Sequence, residues 1–131
     1  MRIKFNKEIE YFIKKNFFPE SFILKKRLIR SIKKGYDQEI SLLNKVINKN
    51  LDSIDVGVYR GVYSYQMSKL SSHVHSFEPN PLIYPYLEKN LKKIIKNLTL
   101  YNIALSDKSE IVDLKIPNRF KILNKNNYEE R

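Results

Sequence analysis

Apolar residues along this chain follow two spacings that alternate with each other. Compact apolar segments at Ser53–Val56, His73–Phe77 and Thr99–Leu105 predict strands. Helical spacing over Tyr63–Leu70 and Leu82–Lys96 predicts the helices between them. Strands that alternate with helices are typical of an α/β protein with a parallel sheet. We therefore expect an α/β fold.

The first 50 residues have helical spacing only. The pattern predicts a helix over Ile3–Phe18 that ends before Pro19, and a second over Glu20–Lys34 that Gly35 closes. Asp37 is suited to cap a third helix that runs to about residue 48. Beyond the third strand, apolar and polar residues alternate loosely over Glu110–Ile116, and this pattern predicts a fourth, added strand.

Composition narrows the function classes. The 131 residues include no cysteine, which excludes disulfides and thiolate metal sites and suits a cytoplasmic protein. No apolar run approaches the ~20 residues that span a bilayer, and the first residues lack the apolar core of a signal peptide. His73 and His75 would share one side of a strand, but two imidazoles without a third ligand do not predict a metal site.

The net charge of +11 is concentrated at the N-terminal end. Residues 1–50 hold 13 Lys and Arg against 5 Asp and Glu. Such an excess suits contact with nucleic acid or an anionic membrane surface. It also suits the solvated face of amphipathic helices, and no recognition motif accompanies the charge. We favour the solvated face, do not expect a nucleic-acid partner, and keep a basic binding module as an alternative.

A glycine turn follows the first predicted strand. Asp55, Gly57 and Gly61 form the pattern D-x-G-x-x-x-G, and Glu78 follows 21 residues after Gly57 at the end of the next strand. Glycine is suited to a tight turn or a close approach to a ligand, and the following helix directs its positive end at the turn. An acid at that distance holds ribose hydroxyls in nucleotide-binding folds. The pattern therefore predicts a cofactor that contains an adenosine ribose.

The residues of the turn favour one cofactor over others. A dinucleotide turn has glycine at its middle position, where this chain has Tyr59. Asp55 would repel a pyrophosphate but suits a ligand with an ammonium group, and no Gly-Lys-Ser/Thr follows for a nucleoside triphosphate. The sequence thus favours S-adenosylmethionine, with a nicotinamide-dependent oxidoreductase as the weaker alternative. A tight strand-to-helix turn that binds no ligand would also favour glycine at residues 57 and 61, so this structural explanation stays open.

Residues 36–117 resemble the first half of an FkbM-type methyltransferase domain. The similarity lies in residues 36–43, 54–57, 60–64, 76–81 and 102–107, in that order. It implies a class I methyltransferase (Rossmann-like) fold with a doubly wound sheet, incomplete here and preceded by a basic helical segment at 1–35. Residues 118–131 would form a polar tail.

The resemblance also implies a function and its residues. S-adenosyl-L-methionine would be the methyl donor, and the acceptor would be an oxygen of a sugar, glycan or other small molecule. Asp55, Gly57 and Gly61 would line the methionine end, and Glu78 would hold the ribose. Ala104 and Leu105 would edge the adenine, and Asn80 completes the candidate cofactor-binding set.

Two departures from that family qualify these expectations. Val58 and Tyr59 replace the usual Ala-Asn and are expected to crowd the place of the methionine carboxylate. The fourth strand of the family, roughly Lys-Ile-Asp-Val-Glu-Gly, is absent before Arg131, so no catalytic base can be assigned. We accordingly expect a truncated enzyme or a non-catalytic remnant, with self-association through the unpaired edge of the first strand.

Overall fold

The computed structural model describes residues 16–35 and 38–116. The helix predicted over Ile3–Phe18 lies almost wholly outside these residues, as do the cap at Asp37 and the tail at 118–131. Within the described residues the protein is α/β, as expected. The order of elements is α1 (Glu20–Lys34), α2 (Ile40–Val46), β1 (Ser53–Val56), α3 (Val62–Met67), β2 (Val74–Phe77), α4 (Tyr84–Ile94) and β3 (Leu98–Tyr101).

The bounds of α1 and β1 are those that the sequence predicts. Helix α1 ends at Lys34 and is capped by Gly35, whose φ of 62° is left-handed and whose N–H donates to Ile32 O. Helices α2 and α4 are shorter than predicted by about two residues at each end, whereas α3 begins one residue earlier and ends three residues earlier than predicted. Pro85 lies in the first turn of α4, where a missing N–H costs nothing.

The three strands form one parallel sheet in the order β1-β2-β3. Ser53 is level with Val74, and Val74 with Leu98, so the carboxyl ends of all three strands meet at one edge. β1 has β2 on one side and no other described strand beside it. Self-association through this edge stays a prediction.

Helices cover one face of the sheet, which we call the covered face. Its strand residues include Val74, Leu98 and Leu100, which are at most 8% exposed. Buried apolar side chains of the helices pack against these strand residues. They include Leu24, Leu28, Val62, Leu87 and Leu91. Removing such side chains from water is the main term that stabilises the fold.

The opposite face, which we call the open face, carries no described helix. Ile54 and Val56 of β1 are 61% and 63% exposed. Next to them the rings of Phe77 and Tyr101 stack with centroids 4.7 Å apart. His75 continues this row, because its ring lies 6.1 Å from that of Tyr101.

Two strand predictions were wrong. β3 ends at Tyr101 and not at Leu105, because the side-chain amide of Asn102 donates to Glu78 O and ends the backbone ladder. Residues Glu110–Ile116 form no strand. Ile111 and Val112 are fully or largely exposed, so the apolar pattern there has no sheet edge or core to bury against.

No described helix combines the length and the apolar character that a membrane span requires.

Candidate functional site

The glycine turn joins β1 to α3 at the carboxyl edge of the sheet. Gly57 and Gly61 have φ of 84° and 79°, a conformation that favours glycine at both positions. A Cβ on Gly57 would meet no atom within 4 Å, so the space above this residue is open. A Cβ on Gly61 would lie 2.9 Å from Leu91 Cδ2. Gly57 therefore borders free space, whereas Gly61 allows α3 and α4 to approach closely.

The N–H groups of the turn are largely used within the chain. Those of Gly57 and Val58 donate to Phe77 O, that of Tyr59 to Glu78 Oε2, and that of Gly61 to Val58 O. A phosphate cradle depends on several backbone N–H groups that converge on the ligand. At these four residues the turn therefore lacks the free backbone N–H groups that a pyrophosphate requires.

Val58 and Tyr59 do not crowd the turn together. Val58 is only 5% exposed and belongs to the core, so its side chain does not reach the open space. The expectation that Val58 would obstruct a ligand was wrong, since the turn rotates this residue inward. Tyr59 is 44% exposed, and the guanidinium of Arg60 lies 5.1 Å from the centre of its ring.

Asp55 lies on the covered face and binds to the start of α3. It is 8% exposed, and its Oδ2 accepts a hydrogen bond of 2.5 Å from Ser64 Oγ, which lies 3.0 Å from Ser76 Oγ. Burial raises the pKa of Asp55, the Ser64 hydrogen bonds oppose that rise, and the charge of Glu78 adds to it. Because Gly61 at the helix N-cap has no side chain, the carboxylate of Asp55 supplies negative charge at this helix end. Its contact with a methionine group stays a prediction.

Glu78 connects the glycine turn to the loop after β2. Although it is 5% exposed, its Oε2 accepts from Tyr59 N at 2.8 Å and its Oε1 from Asn80 N at 2.9 Å. The structure thus brings the acid and the turn into direct contact. Contact of Glu78 with a ribose stays a prediction. The side chain of Asn80 is used differently, because its Oδ1 accepts from Leu82 N at 2.9 Å and shapes the loop.

Ala104 and Leu105 line a groove beside Glu78. The groove has a volume of about 810 Å³ and lies between Pro79 and the segment from Asn102 to Leu114. Leu105 is 49% exposed, so its apolar side chain is available for contact. The groove joins the segment after β2 to the segment after β3. Contact of these residues with an adenine stays a prediction.

The two histidines have hydrogen-bond partners of their own. His73 Nε2 lies 2.8 Å from Thr99 Oγ1. His75 Nδ1 lies 3.2 Å from Tyr101 OH, and its Nε2 lies 3.2 Å from Asp52 Oδ2. The described residues contain no group of three or more His, Cys, Asp or Glu side chains that could hold a metal ion.

Sequence reasoning did not find three contributors to this site. Ser76 supports the pair of Asp55 and Ser64, Asn102 fixes the backbone of Glu78, and the N–H of Tyr59 holds the carboxylate. Ser76 could have been found, because it precedes Glu78 by two residues and so points to the same face of the strand. The contact of the Tyr59 N–H could not have been found in this way, because every residue except proline has a backbone N–H.

Comparisons with known proteins give matches of fold over part of the chain. No protein-family model matches, and no curated protein matches. A structure from Streptococcus mutans, assigned as a methyltransferase and in complex with S-adenosylhomocysteine, is 24% identical with a TM-score of 0.46. The match covers 51% of this chain and 39% of that one. The tRNA (m1A58) methyltransferase of Aquifex aeolicus is 27% identical with a TM-score of 0.45, over 55% of this chain and 30% of that one.

Proposed function

We propose that this chain is the donor-binding part of an S-adenosylmethionine-dependent class I methyltransferase. The observation that carries the proposal is the contact between Glu78 and the glycine turn, beside the open space at Gly57. A buried carboxylate at the end of β2 suits ribose hydroxyls, which need acceptors once they leave water. The groove at Pro79, Ala104 and Leu105 offers apolar contact for an adenine on the far side of the ribose.

The turn favours this donor over a dinucleotide. Its four engaged N–H groups do not converge on a phosphate, and the buried Asp55 beneath it opposes further negative charge. A nicotinamide-dependent oxidoreductase is therefore the weaker alternative.

The chemistry follows from what such a site can do. When bound, the donor would supply an electrophilic methyl carbon on its sulfonium sulfur. An acceptor oxygen would form the C–O bond in line as the C–S bond breaks, so that S-adenosylhomocysteine leaves and the acceptor's proton passes to a base or to water. For such a step the protein contributes mainly by positioning, which can lower a barrier by roughly 7–11 kcal/mol. Following the resemblance to the FkbM-type family, we propose an oxygen of a sugar or small metabolite as the acceptor. No described residue is assigned as its base.

A basic binding module is the second candidate function. Helix α1 carries six Lys and Arg residues, and its acid, Glu20, pairs with Lys89 Nζ at 3.0 Å. Lys25 lies near enough to Lys69 to help lower the pKa of that lysine, although burial of Lys69 is the larger cause. Such a module would function without a donor site, so ligand binding distinguishes the two candidates.

Titration calorimetry with S-adenosylhomocysteine and with NAD tests the donor proposal. We expect heat from the first ligand and none from the second. Glu78→Ala should weaken binding by ~1–3 kcal/mol, because ribose hydroxyls would lose their acceptor. Tighter binding of NAD than of S-adenosylhomocysteine would contradict the assignment.

Gly57→Val tests whether the open space is the ligand site, and Gly35→Val is its matched control. Both glycines have positive φ and no atom within 4 Å of an added Cβ, so the two valines strain the backbone alike. Only the valine at residue 57 should abolish binding, while circular dichroism shows both proteins folded. Unchanged binding in the residue 57 variant would mean that the turn has a structural role alone, and an equal loss in both variants would assign the loss to backbone strain.

A further inference from the structure

Tyr59 has a backbone conformation that its residue type disfavours. Its φ of 49° is the only positive φ at a non-glycine among the described residues. The left-handed region costs such a residue about 1–2 kcal/mol. A strained conformation persists where its surroundings impose it, and such residues cluster at functional sites.

Core packing does not impose this conformation, since the ring of Tyr59 is nearly half exposed. Two hydrogen bonds hold the backbone here. The N–H of Gly61 donates to Val58 O at 2.8 Å and closes a turn around Tyr59, and the N–H of Tyr59 donates to Glu78 Oε2 at 2.8 Å. An accepting carboxylate with almost no exposure makes this bond stronger than one between neutral groups at the surface.

The same bond fixes the carboxylate in return. Glu78 has three rotatable side-chain bonds, and a free carboxylate could turn away from a ligand. Tyr59 N holds one oxygen and Asn80 N at 2.9 Å holds the other, while Asn102 Nδ2 holds the backbone carbonyl at 2.8 Å. Each carboxylate oxygen retains a further lone pair for a hydroxyl donor.

We propose that Tyr59 is a positioning residue for the ribose end of the ligand and acts through Glu78. Its place in the glycine turn would suggest a contact with the methionine end. The structure instead links its backbone to the carboxylate expected to hold the ribose. This inference rests on the proposed function.

Substitutions that change only the preference for positive φ test the role. Tyr59→Val keeps the N–H but strongly disfavours the left-handed region, because its Cβ is branched. Tyr59→Asn keeps the N–H and tolerates that region. Tyr59→Phe removes only the hydroxyl group.

Chemical-shift titrations of the full chain with adenosine and with S-adenosylhomocysteine give the readout. We expect Tyr59→Val to weaken both ligands by the same factor, tenfold or more, because both contain the ribose. The Asn and Phe variants should stay within about threefold of the wild type for both ligands. A loss confined to S-adenosylhomocysteine would place Tyr59 at the methionine end and overturn the inference.

Amide hydrogen exchange is a second measurement, and its first part uses the wild-type chain alone. The Tyr59 N–H should be protected, and Glu78→Gln should speed its exchange, since a neutral amide oxygen is a weaker acceptor. An unprotected N–H would overturn the inference. A chain that binds neither ligand would overturn the proposed function and this role together. Full binding by Tyr59→Val would overturn only the role of Tyr59.

Discussion

The covered and open faces of the sheet come from the same three strands but differ in burial. Val74 on the covered face is fully buried, whereas Ile54 and Val56 on the open face are more than 60% exposed. The open face is nevertheless apolar and aromatic, unlike the solvent-facing side of an antiparallel sheet. Strands of parallel sheets are apolar on both faces, so their composition does not tell which face is covered.

The two faces also differ in what they offer the candidate site. The covered face supplies the buried polar cluster of Asp55, Ser64 and Ser76 beneath the glycine turn. The open face supplies the ring stack of Phe77 and Tyr101 at the same carboxyl edge. Stability and site geometry should therefore respond mainly to the covered face.

The largest expected difference is between matched apolar truncations on the two faces. Leu100→Ala removes a strand side chain that is 5% exposed and should lower the free energy of unfolding by about 2–5 kcal/mol. Ile54→Ala removes one that is 61% exposed and should lower it by less than about 1 kcal/mol. Urea denaturation followed by circular dichroism measures both.

Equal losses in the two variants would show that the open face is buried in solution. Self-association through the open face or the edge of β1 would produce that result. Sedimentation of Phe77→Lys would then separate the two surfaces. Phe77 lies on the open face of the central strand β2, so a charge there disrupts contact with the open face and leaves the backbone edge of β1 available.

A smaller effect is expected where the covered helices meet. Gly61→Ala places a Cβ 2.9 Å from Leu91 Cδ2 in addition to the strain of positive φ. Gly35→Ala has the same kind of φ and no atom within 4 Å. The first change should cost about 1–3 kcal/mol more than the second, which is the usual cost of overpacking. Similar thermal unfolding of the two variants would show that Leu91 moves aside freely.

The fold could be predicted from local signals where those signals were strong. Gly35 closes α1, and Ser53–Val56 forms β1, as their residues indicated. The strand predicted at Glu110–Ile116 was wrong. A loose alternation of apolar and polar residues forms a strand only where a neighbouring strand pairs with it. Long-range pairing decided that outcome, and it is not encoded in the segment itself.

The candidate site was predictable in outline but not in its contacts. The spacing of Gly57 and Glu78 predicted one ligand site, and the structure places both residues at the same edge of the sheet, with Glu78 bonded to the turn. Their link runs through the N–H of Tyr59, and the inward rotation of Val58 follows from the conformation of the turn. Both the backbone hydrogen bond and the orientation of Val58 depend on backbone conformation, which the types of the side chains in this segment do not specify.

The smallest expected effect concerns Asp55, a buried acid on the covered face. Burial raises the pKa of its carboxyl group. In the folded chain the pKa of Asp55 lies above its ordinary value of 3.8, so ionisation is easier in the unfolded chain. Stability is therefore lost as the pH rises through the interval between those two pKa values. Asp55→Asn keeps an acceptor for Ser64 Oγ without a charge. The stability of the variant relative to the wild type should increase as the pH rises above 3.8, the ordinary pKa of the carboxyl.

Urea denaturation at several pH values measures this gain, with Asp52→Asn as the control from the other face. Asp52 is half exposed and pairs with His75 at 3.2 Å, and exposed pairs of this kind contribute less than about 1 kcal/mol. If the advantage of Asp55→Asn instead shrinks as the pH rises, the carboxylate stabilises the fold in its charged form. In that case its charge at the start of α3 outweighs its burial, and the covered face would depend on Asp55 as an anion.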